Sequence, residues 1–383
     1  MTVAASQNPS PAHRPQQLVL LGTGIAHLQL LSQLNALPLP GAVVTLIAPQ
    51  RRQIVASMIP GFVAGNYSLD DCVIPIEPLV QRSGIRWLQH HVTAVDAQQQ
   101  TVQLDDGSTV AFDWLSVNNG LIQDRESVER ALPGAREHAL FIRPVEAFAA
   151  LWPRVAEMGD ARPLRISVIG AGAGGFEMAL AVRQRLPTCA ITLVCGHQPL
   201  GASHSPGLQQ RLQAILKRRN ITVLQDVAIG MKADSVQLGC GADLACDVPM
   251  LATRGQAPHW LAESGFALDD QGFLAVDMCQ RSTSHSRVFA PADASSRMDR
   301  PLARSTVHAA RAGAVLADNL AAALAGSALE AYQPPHPSLN LLSCGEKYAV
   351  GTWKQFSAQG WWLWWLKDRI DRRSVARFAR PSS

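Results

Sequence analysis

Residues 164–180, LRISVIGAGAGGFEMAL, limit what this chain can fold into more than any other stretch. The apolar residues Ile166, Val168 and Ile169 predict a buried strand, Gly170, Gly172, Gly174 and Gly175 a tight turn, and residues 176–182 a helix. The glycines have separate duties in such a unit. Gly170 permits the turn, Gly172 lets bare backbone approach a diphosphate, and Gly175 lets helix and strand pack closely. The helix N-terminus adds free N–H groups and the positive end of a dipole. An imperfect copy stands near the start of the chain. Residues 18–21 read as a buried strand and lead into Gly22, Thr23, Gly24, Ile25, Ala26 and His27, with His27 in the place of the third glycine. A glycine-rich turn that holds nothing is the plainer reading of either copy alone. Two copies about 150 residues apart predict instead an α/β protein with two Rossmann-like dinucleotide-binding domains, because each phosphate loop opens its own βαβ unit.

The 383 residues suffice for two or three domains, and 47% hydrophobic with 17% charged residues argues against disorder beyond the ends. Seven cysteines (Cys72, Cys189, Cys195, Cys240, Cys246, Cys279, Cys344) show no CxxC and no metal-ligand spacing. Scattered reduced thiols in a cytoplasmic protein are expected, and a dithiol relay is disfavoured. Residues 1–17 are rich in Pro, Ser and Gln and read as a disordered arm, not as a leader. No later run approaches the ~18 apolar residues of a spanning helix. The net charge of +4 resides entirely in residues 367–380, where Lys367, Arg369, Arg372, Arg373, Arg377 and Arg380 outnumber Asp368 and Asp371. Elsewhere the charges balance, so nucleic-acid binding has little electrostatic support.

In chain order, residues 28–37 predict a helix and 42–48 (AVVTLIA) the second parallel strand. An acid near the end of that strand would hold an adenosine ribose. Ala48, Pro49 and Gln50 stand there instead, which leaves backbone, Gln50 or Arg51 for the task, or a weaker site. Residues 57–61 (SMIPG) predict a turn, 67–82 a helix, 85–88 and 91–95 strands, and 101–104 with 109–112 a hairpin turning at Asp105, Asp106 and Gly107. His90 and His91 lack a carboxylate or cysteine at ligand spacing and are expected at a strand edge, without a metal. Residues 114–120 (WLSVNNG) predict a short buried strand whose turn, at Asn119 and Gly120, carries the chain out of the first domain. Residues 124–136 read as a charged loop and 144–158 as a helix. The strand expected at 190–194 ends in Cys195, Gly196 and His197. Neither the acid that favours NADH nor the arginines that favour NADPH are there, so coenzyme choice stays open. Residues 205–219 predict an amphipathic helix and 221–224 a strand. Two apolar runs, 249–255 (PMLATRG) and 288–293 (VFAPAD), then close in turns, the second offering the carboxylate of Asp293.

The ordering of GTGIAH, SMIPGFVAGNYS, GAGAGGFEMAL, LATRGQAPHWL, SRVFAPAD and WLKDRIDRRSVARF resembles the FAD-dependent pyridine nucleotide-disulfide oxidoreductase superfamily over residues 18–378. It is similar to the branch of type II NADH dehydrogenases and sulfide:quinone oxidoreductases, and most similar to the flavoprotein domain fused to selenide, water dikinase. The resemblance implies an FAD domain in residues 18–120 and 275–330, an NAD(P)H domain inserted as residues 121–274, and a small C-terminal α+β region in 331–383. It implies that Gly22, Thr23, Gly24, Ile25, Ala26 and His27 line the FAD diphosphate, with Asn119 and Gly120 beside them. Asp293 would meet the flavin ribityl and phosphate, and Thr306 with Val307 the pyrimidine edge at a helix N-terminus. Gly170, Gly172, Gly174 and Gly175 would line the NAD(P)H diphosphate, and Glu177 would sit near the nicotinamide. Two departures stand out: Ala292 replaces a glycine, a mild change, and Arg254 replaces another at a turn, where it either pairs with a phosphate or obstructs entry.

The function implied is hydride transfer from NAD(P)H to FAD and then electron transfer to a quinone or other small acceptor, with the protein supplying position and electrostatics rather than acid-base chemistry. The rival is a degenerate relative that binds flavin or nucleotide without turnover, as a sensor or assembly partner. Cys344 is expected to be a buried bystander more than a site of adduct formation. In the terminal helix, Trp362, Leu363, Leu366 and Ile370 share a face, which Trp361, Trp364 and Trp365 widen. Above six basic side chains they suit either an anionic membrane interface on the inner face or the core or a homodimer partner.

Overall fold

In the computed structural model the described residues are 14–34, 39, 41–198, 200–202, 205–300, 302, 306–334, 339–354 and 356–379, and the side chains of Thr306 and Val307 lie outside the description. Most of the N-terminal arm (1–13) and the end of the helix expected over 28–37 lie outside it too.

Ten strands form two parallel sheets: β1 (Gln16–Leu21), β2 (Ala42–Ile47), β3 (Arg86–Leu88), β4 (Trp114–Val117), β5 (Leu140–Phe141), β6 (Arg165–Ile169), β7 (Ala190–Val194), β8 (Thr222–Leu224), β9 (Val248–Leu251) and β10 (Val288–Phe289). The first sheet has the order β10-β4-β1-β2-β3 and the second β5-β9-β6-β7-β8. Each glycine turn follows the central strand, and the strand order reverses beside it, between β1 and β4 in one sheet and between β6 and β9 in the other. Open α/β sheets bind ligands at that reversal. The central strands are apolar through their buried lengths, Leu18–Leu21 in β1 and Ile166, Val168 and Ile169 in β6 with only Ser167 between them, as two-sided burial favours. Leu18, Leu20 and Leu21, like Val168, are wholly buried, each side chain contributing roughly 2–3 kcal/mol of apolar stabilisation.

Helix α1 (Ile25–Leu34) follows β1, α2 (Ala173–Arg185) follows β6, α3 (Thr306–Leu324) follows β10, and α4 (Trp361–Ala379) ends the described chain. Two compact units result. One gathers residues up to Gln50 with Leu79–Asn119 and His259–Gln333; the other gathers Arg51–Pro78, Gly120–Pro258 and the segment from Pro334 onward. The α3 helix crosses α1 closely, since a Cβ on Gly313 would stand 2.4 Å from the Ala26 carbonyl oxygen. In the second unit a three-stranded antiparallel sheet (Leu339–Ser343, Ala349–Trp353, Phe356–Gly360) leads into α4. No helix among the described residues is long and apolar enough to cross a membrane.

Three local expectations are corrected. Residues 57–61 are not a simple turn: Pro60 occupies the first turn of a short helix, Ile59–Val63, where its missing N–H is harmless. The helix expected over 67–82 begins only at Glu77. Before it, β-branched Val73 and Ile74 lie in a strand, Val73–Pro75, paired antiparallel with Arg52–Ile54. The charged stretch 124–136 contains a helix, Arg125–Ala131, because Asp124 caps it by accepting the Glu126 and Ser127 N–H groups at 3.0 and 2.8 Å.

Candidate functional site

At the first glycine turn the Gly22 N–H donates to the Ile47 carbonyl (2.9 Å), and Gly22 takes φ +85°, a conformation that β-carbons resist. A Cβ there would lie 2.5 Å from the Asn119 Cα. The pivot of this site is Asn118, which the sequence reading passed over. Its carbonyl accepts the Gly24 N–H (3.0 Å), its Oδ1 the His27 N–H (3.3 Å), and its Nδ2 donates to the Pro291 carbonyl (3.4 Å). The turn is thus joined to the segment carrying Asp293. His27 is wholly buried between the Gly22 carbonyl (Nδ1, 2.8 Å) and the Ser116 hydroxyl (Nε2, 2.8 Å). Burial pushes the imidazole down to about 4 and keeps it neutral. The buried Asn119 Oδ1 has no hydrogen-bond partner, so an acceptor stands ready for a nucleotide hydroxyl or amide. These features fit a diphosphate-containing cofactor. Thr306 begins the 19-residue α3, with Val307 in its first turn. The change at Ala292 is not mild: the residue sits at φ +53°, where glycine would be unstrained.

The second turn realises each glycine duty separately. Gly170 takes φ +141° and donates to the Val194 carbonyl (2.9 Å). A Cβ on Gly175 would fall 1.9 Å from the Gly170 carbonyl oxygen, so helix and strand meet without room for a methyl group. At Gly172 and Gly174 a Cβ would meet nothing within 4 Å. The open edge of the turn lies there, at an N-terminus of α2 that has no side-chain cap and no acid in its first turn. That arrangement suits an anion and fits a second diphosphate. Arg254 is exposed on the loop after β9.

Glu177, one turn further along the same helix, meets the small antiparallel sheet. Its Oε1 accepts the Ser343 N–H at 2.7 Å, beside a Ser343 hydroxyl that is buried without a hydrogen-bond partner. Burial raises the Glu177 carboxyl to about 7, against the pull of Lys367. Lys367 itself donates to Asp371 (2.6 Å) and to the Ser57 carbonyl (2.7 Å), while the Ser57 hydroxyl donates to the other oxygen of Asp371 (2.9 Å). Burial alone would lower Lys367, but Asp371 and Glu177 hold it above its usual value. Cys344 is buried and, by that burial and the neighbouring Glu177, pushed up to about 12, so it remains a thiol.

In α4 the buried face is Leu363, Lys367, Asp371 and Phe378, which corrects the apolar face expected from the sequence. Trp361 is 72% exposed, and Trp362 and Trp365 are exposed with it, as are Trp353 and Phe356 of the neighbouring hairpin. These three helix tryptophans do not cover the core. Cations lie over several of the rings, Arg369 on Trp365 at 5.5 Å and Lys354 on Trp353 at 5.2 Å. The hairpin turn also brings His90 what the sequence did not reveal: Asp105, hydrogen-bonded to its Nδ1 at 2.9 Å, and Asp106, 3.6 Å from its Nε2, with both carboxylates exposed.

The sequence profile described as pyridine nucleotide-disulphide oxidoreductase matches residues 16–313. The type II NADH:quinone oxidoreductase of Staphylococcus aureus (strain NCTC 8325 / PS 47) is 27% identical over 183 residues, 45% of this chain and 44% of the relative. Demethylphylloquinone reductase NdbB of Synechocystis sp. is 28% identical over 182 residues, with the same coverage. The matches thus span less than half the length of these relatives. Among solved structures, the sulfide:quinone oxidoreductase of Aquifex aeolicus has a TM-score of 0.79 at 16% identity, covering 95% of this chain and 91% of its own. NDH2 of Plasmodium falciparum in complex with NADH has a TM-score of 0.75 at 13% identity, covering 96% and 99%. Likeness at such identity establishes the fold.

Proposed function

The chain belongs to the pyridine nucleotide-disulphide oxidoreductase family, and on that premise we propose that it is an FAD-dependent enzyme passing electrons from NAD(P)H to a quinone or other small acceptor. The observation that carries this reading is the recurrence of one sheet order, each time with a glycine turn at the strand-order reversal. In this reading FAD belongs to the turn from Gly22 through Thr23, Gly24, Ile25 and Ala26 to His27, with Asn119, Gly120, Asp293, Thr306 and Val307 as its further contacts. NAD(P)H belongs to Gly170, Gly172, Gly174 and Gly175. When bound, FAD supplies a two-electron relay between the nicotinamide and the acceptor.

The protein's own residues hold, orient and move protons. The α3 N-terminus favours negative charge placed against it. Glu177, titrating near 7, is suited to give a proton to an acceptor that has gained electrons and to take one back, and Lys367 biases it toward the charged form. Names of relatives that include a quinone or a phylloquinone support a quinone as acceptor. The exposed tryptophans with their cations support peripheral docking on an anionic membrane, a homodimer contact being the competing use of that face.

Purification and anaerobic titration test the reading. A yellow protein bleached by NADH or NADPH, then re-oxidised by one of a panel of quinones, is expected; quinone reduction should show a limb near pH 7 that Glu177→Gln removes. A colourless protein, or one that neither coenzyme bleaches, defeats the reading and favours binding without turnover. Flotation with anionic liposomes should fail after Trp361, Trp362 and Trp365 are changed to Ala; unchanged flotation removes the membrane from the account.

A further inference from the structure

We propose that Arg254 grips the diphosphate of the dinucleotide at the second glycine turn and contributes equally to NADH and NADPH affinity. The inference rests on the assignment of the Gly170 turn to NAD(P)H. Strand β9 runs beside β6 in a register that sets Leu251 against Ile169, and the Ala252 N–H donates to the Ile169 carbonyl at 2.9 Å. The loop after β9 therefore lies against the turn. A Cβ on Gly170 would stand 2.4 Å from the Ala252 carbonyl oxygen and 3.3 Å from the Thr253 nitrogen.

This loop is pinned on both sides of Arg254. Buried Gln123 donates from Nε2 to the Leu251 carbonyl and to the Thr253 hydroxyl, both at 3.0 Å, while its Oε1 accepts the Arg143 N–H at 2.9 Å. Gln256 exchanges backbone hydrogen bonds with Ile122 at 2.8 and 3.0 Å, and Gly255 is packed so closely that a Cβ would meet Leu121 at 2.5 Å. Between Leu251 and Gln256, Arg254 alone is exposed. The backbone that carries Arg254 is thus held in place before any ligand arrives. It stands on the loop bordering the turn whose opposite rim is the uncapped N-terminus of α2, with Gly172 and Gly174 open. Both rims favour negative charge.

Sheet order decides which phosphate is meant. In β5-β9-β6-β7-β8, strands β9 and β7 flank β6 on opposite sides. The adenosine ribose is read at the end of the strand that follows the glycine helix, here β7 with Cys195, Gly196 and His197. Arg254 leaves β9, on the other side, and so serves the diphosphate that both coenzymes share, not the 2′-phosphate that separates them.

The test measures dissociation constants of NAD+ and NADP+, which bind without turnover, for the intact protein and for Arg254→Gln, Arg254→Lys and Arg254→Gly. Arg254→Gln should weaken both ligands by the same factor, about tenfold. Arg254→Lys should keep most of the affinity, the loss should shrink as salt rises, and adenosine, which has no phosphate, should be unaffected. Unchanged or tighter binding in Arg254→Gln and Arg254→Gly overturns the proposal, as does a loss confined to NADP+. A wild-type protein that binds neither dinucleotide overturns the assignment of the turn and this proposal with it. Wild-type binding with an indifferent Arg254→Gln overturns this proposal alone.

Discussion

At the first glycine turn an imidazole fills the gap between helix and strand; at the second there is no gap to fill. His27 and Gly175 occupy the same place in their motifs. Gly175 brings α2 so near β6 that a methyl group would strike the Gly170 carbonyl at 1.9 Å, whereas His27 reaches the corresponding Gly22 carbonyl through Nδ1 at 2.8 Å and goes on to Ser116. One design closes the turn by contact of bare backbone, the other by a polar spacer that satisfies the same carbonyl. The spacer brings a titratable group into the core, and with it a sensitivity to acid that the second turn lacks.

The largest expected effect is at the turn without a spacer. Gly175→Ala should destabilise the protein by about 3 kcal/mol or more, because backbone must yield. Gly174→Ala, in the same helix but facing open space, should stabilise by roughly 0.5–1 kcal/mol through helix propensity while weakening dinucleotide binding. Chemical denaturation of both variants checks the pair; equal stabilities would show that Gly175 is not the closure. At the other turn the effect depends on pH. His27 takes a proton at about 4 when folded and near 6.5 when unfolded, so the unfolded chain binds more protons between these values. Stability should therefore fall as pH drops from 6.5 to 4, by up to about 3 kcal/mol, and level off below. His27→Gln should flatten that part of the pH dependence; a slope that survives locates the acid sensitivity elsewhere. The smallest effect concerns Ala292 at φ +53°. Ala292→Gly should stabilise the protein by about 1 kcal/mol, read as a raised Tm, and no change would mean that the backbone is relaxed there.

Most of the architecture was legible because apolar strand stretches and glycine turns are written in near neighbours in sequence. Residues 18–21, 42–47 and 190–194 are mainly apolar stretches of strand length that fall in the strands expected, as do the alternating Ile166 and Val168 with Ile169. What stayed hidden depended on distant partners. Val73 and Ile74 become a strand only because Arg52–Ile54 lies alongside, and no local pattern announces that pairing. Asn118 has the same chemistry as Asn119 next to it; only the fold makes one the staple and leaves the other with an unmatched acceptor. Asp105 and Asp106 reach His90 because a hairpin folds back, a spacing that metal-motif reasoning does not cover. Glu177 was found as a candidate from its place after the glycines, but its partners Ser343 and Lys367 lie more than 150 residues further along.

The inward salt bridge of the last helix has a practical consequence for anyone shortening this protein. Deleting α4 to strip away its tryptophans would also withdraw the ammonium that counterbalances Glu177 and leave the Ser57 hydroxyl and carbonyl without their partners on that helix. A tail-less version would thus differ in proton affinity and in folding as well as in surface stickiness, and its defects could not be assigned to adhesion. Replacing the outward rings one at a time keeps the buried electrostatics intact and separates the two roles that this segment combines.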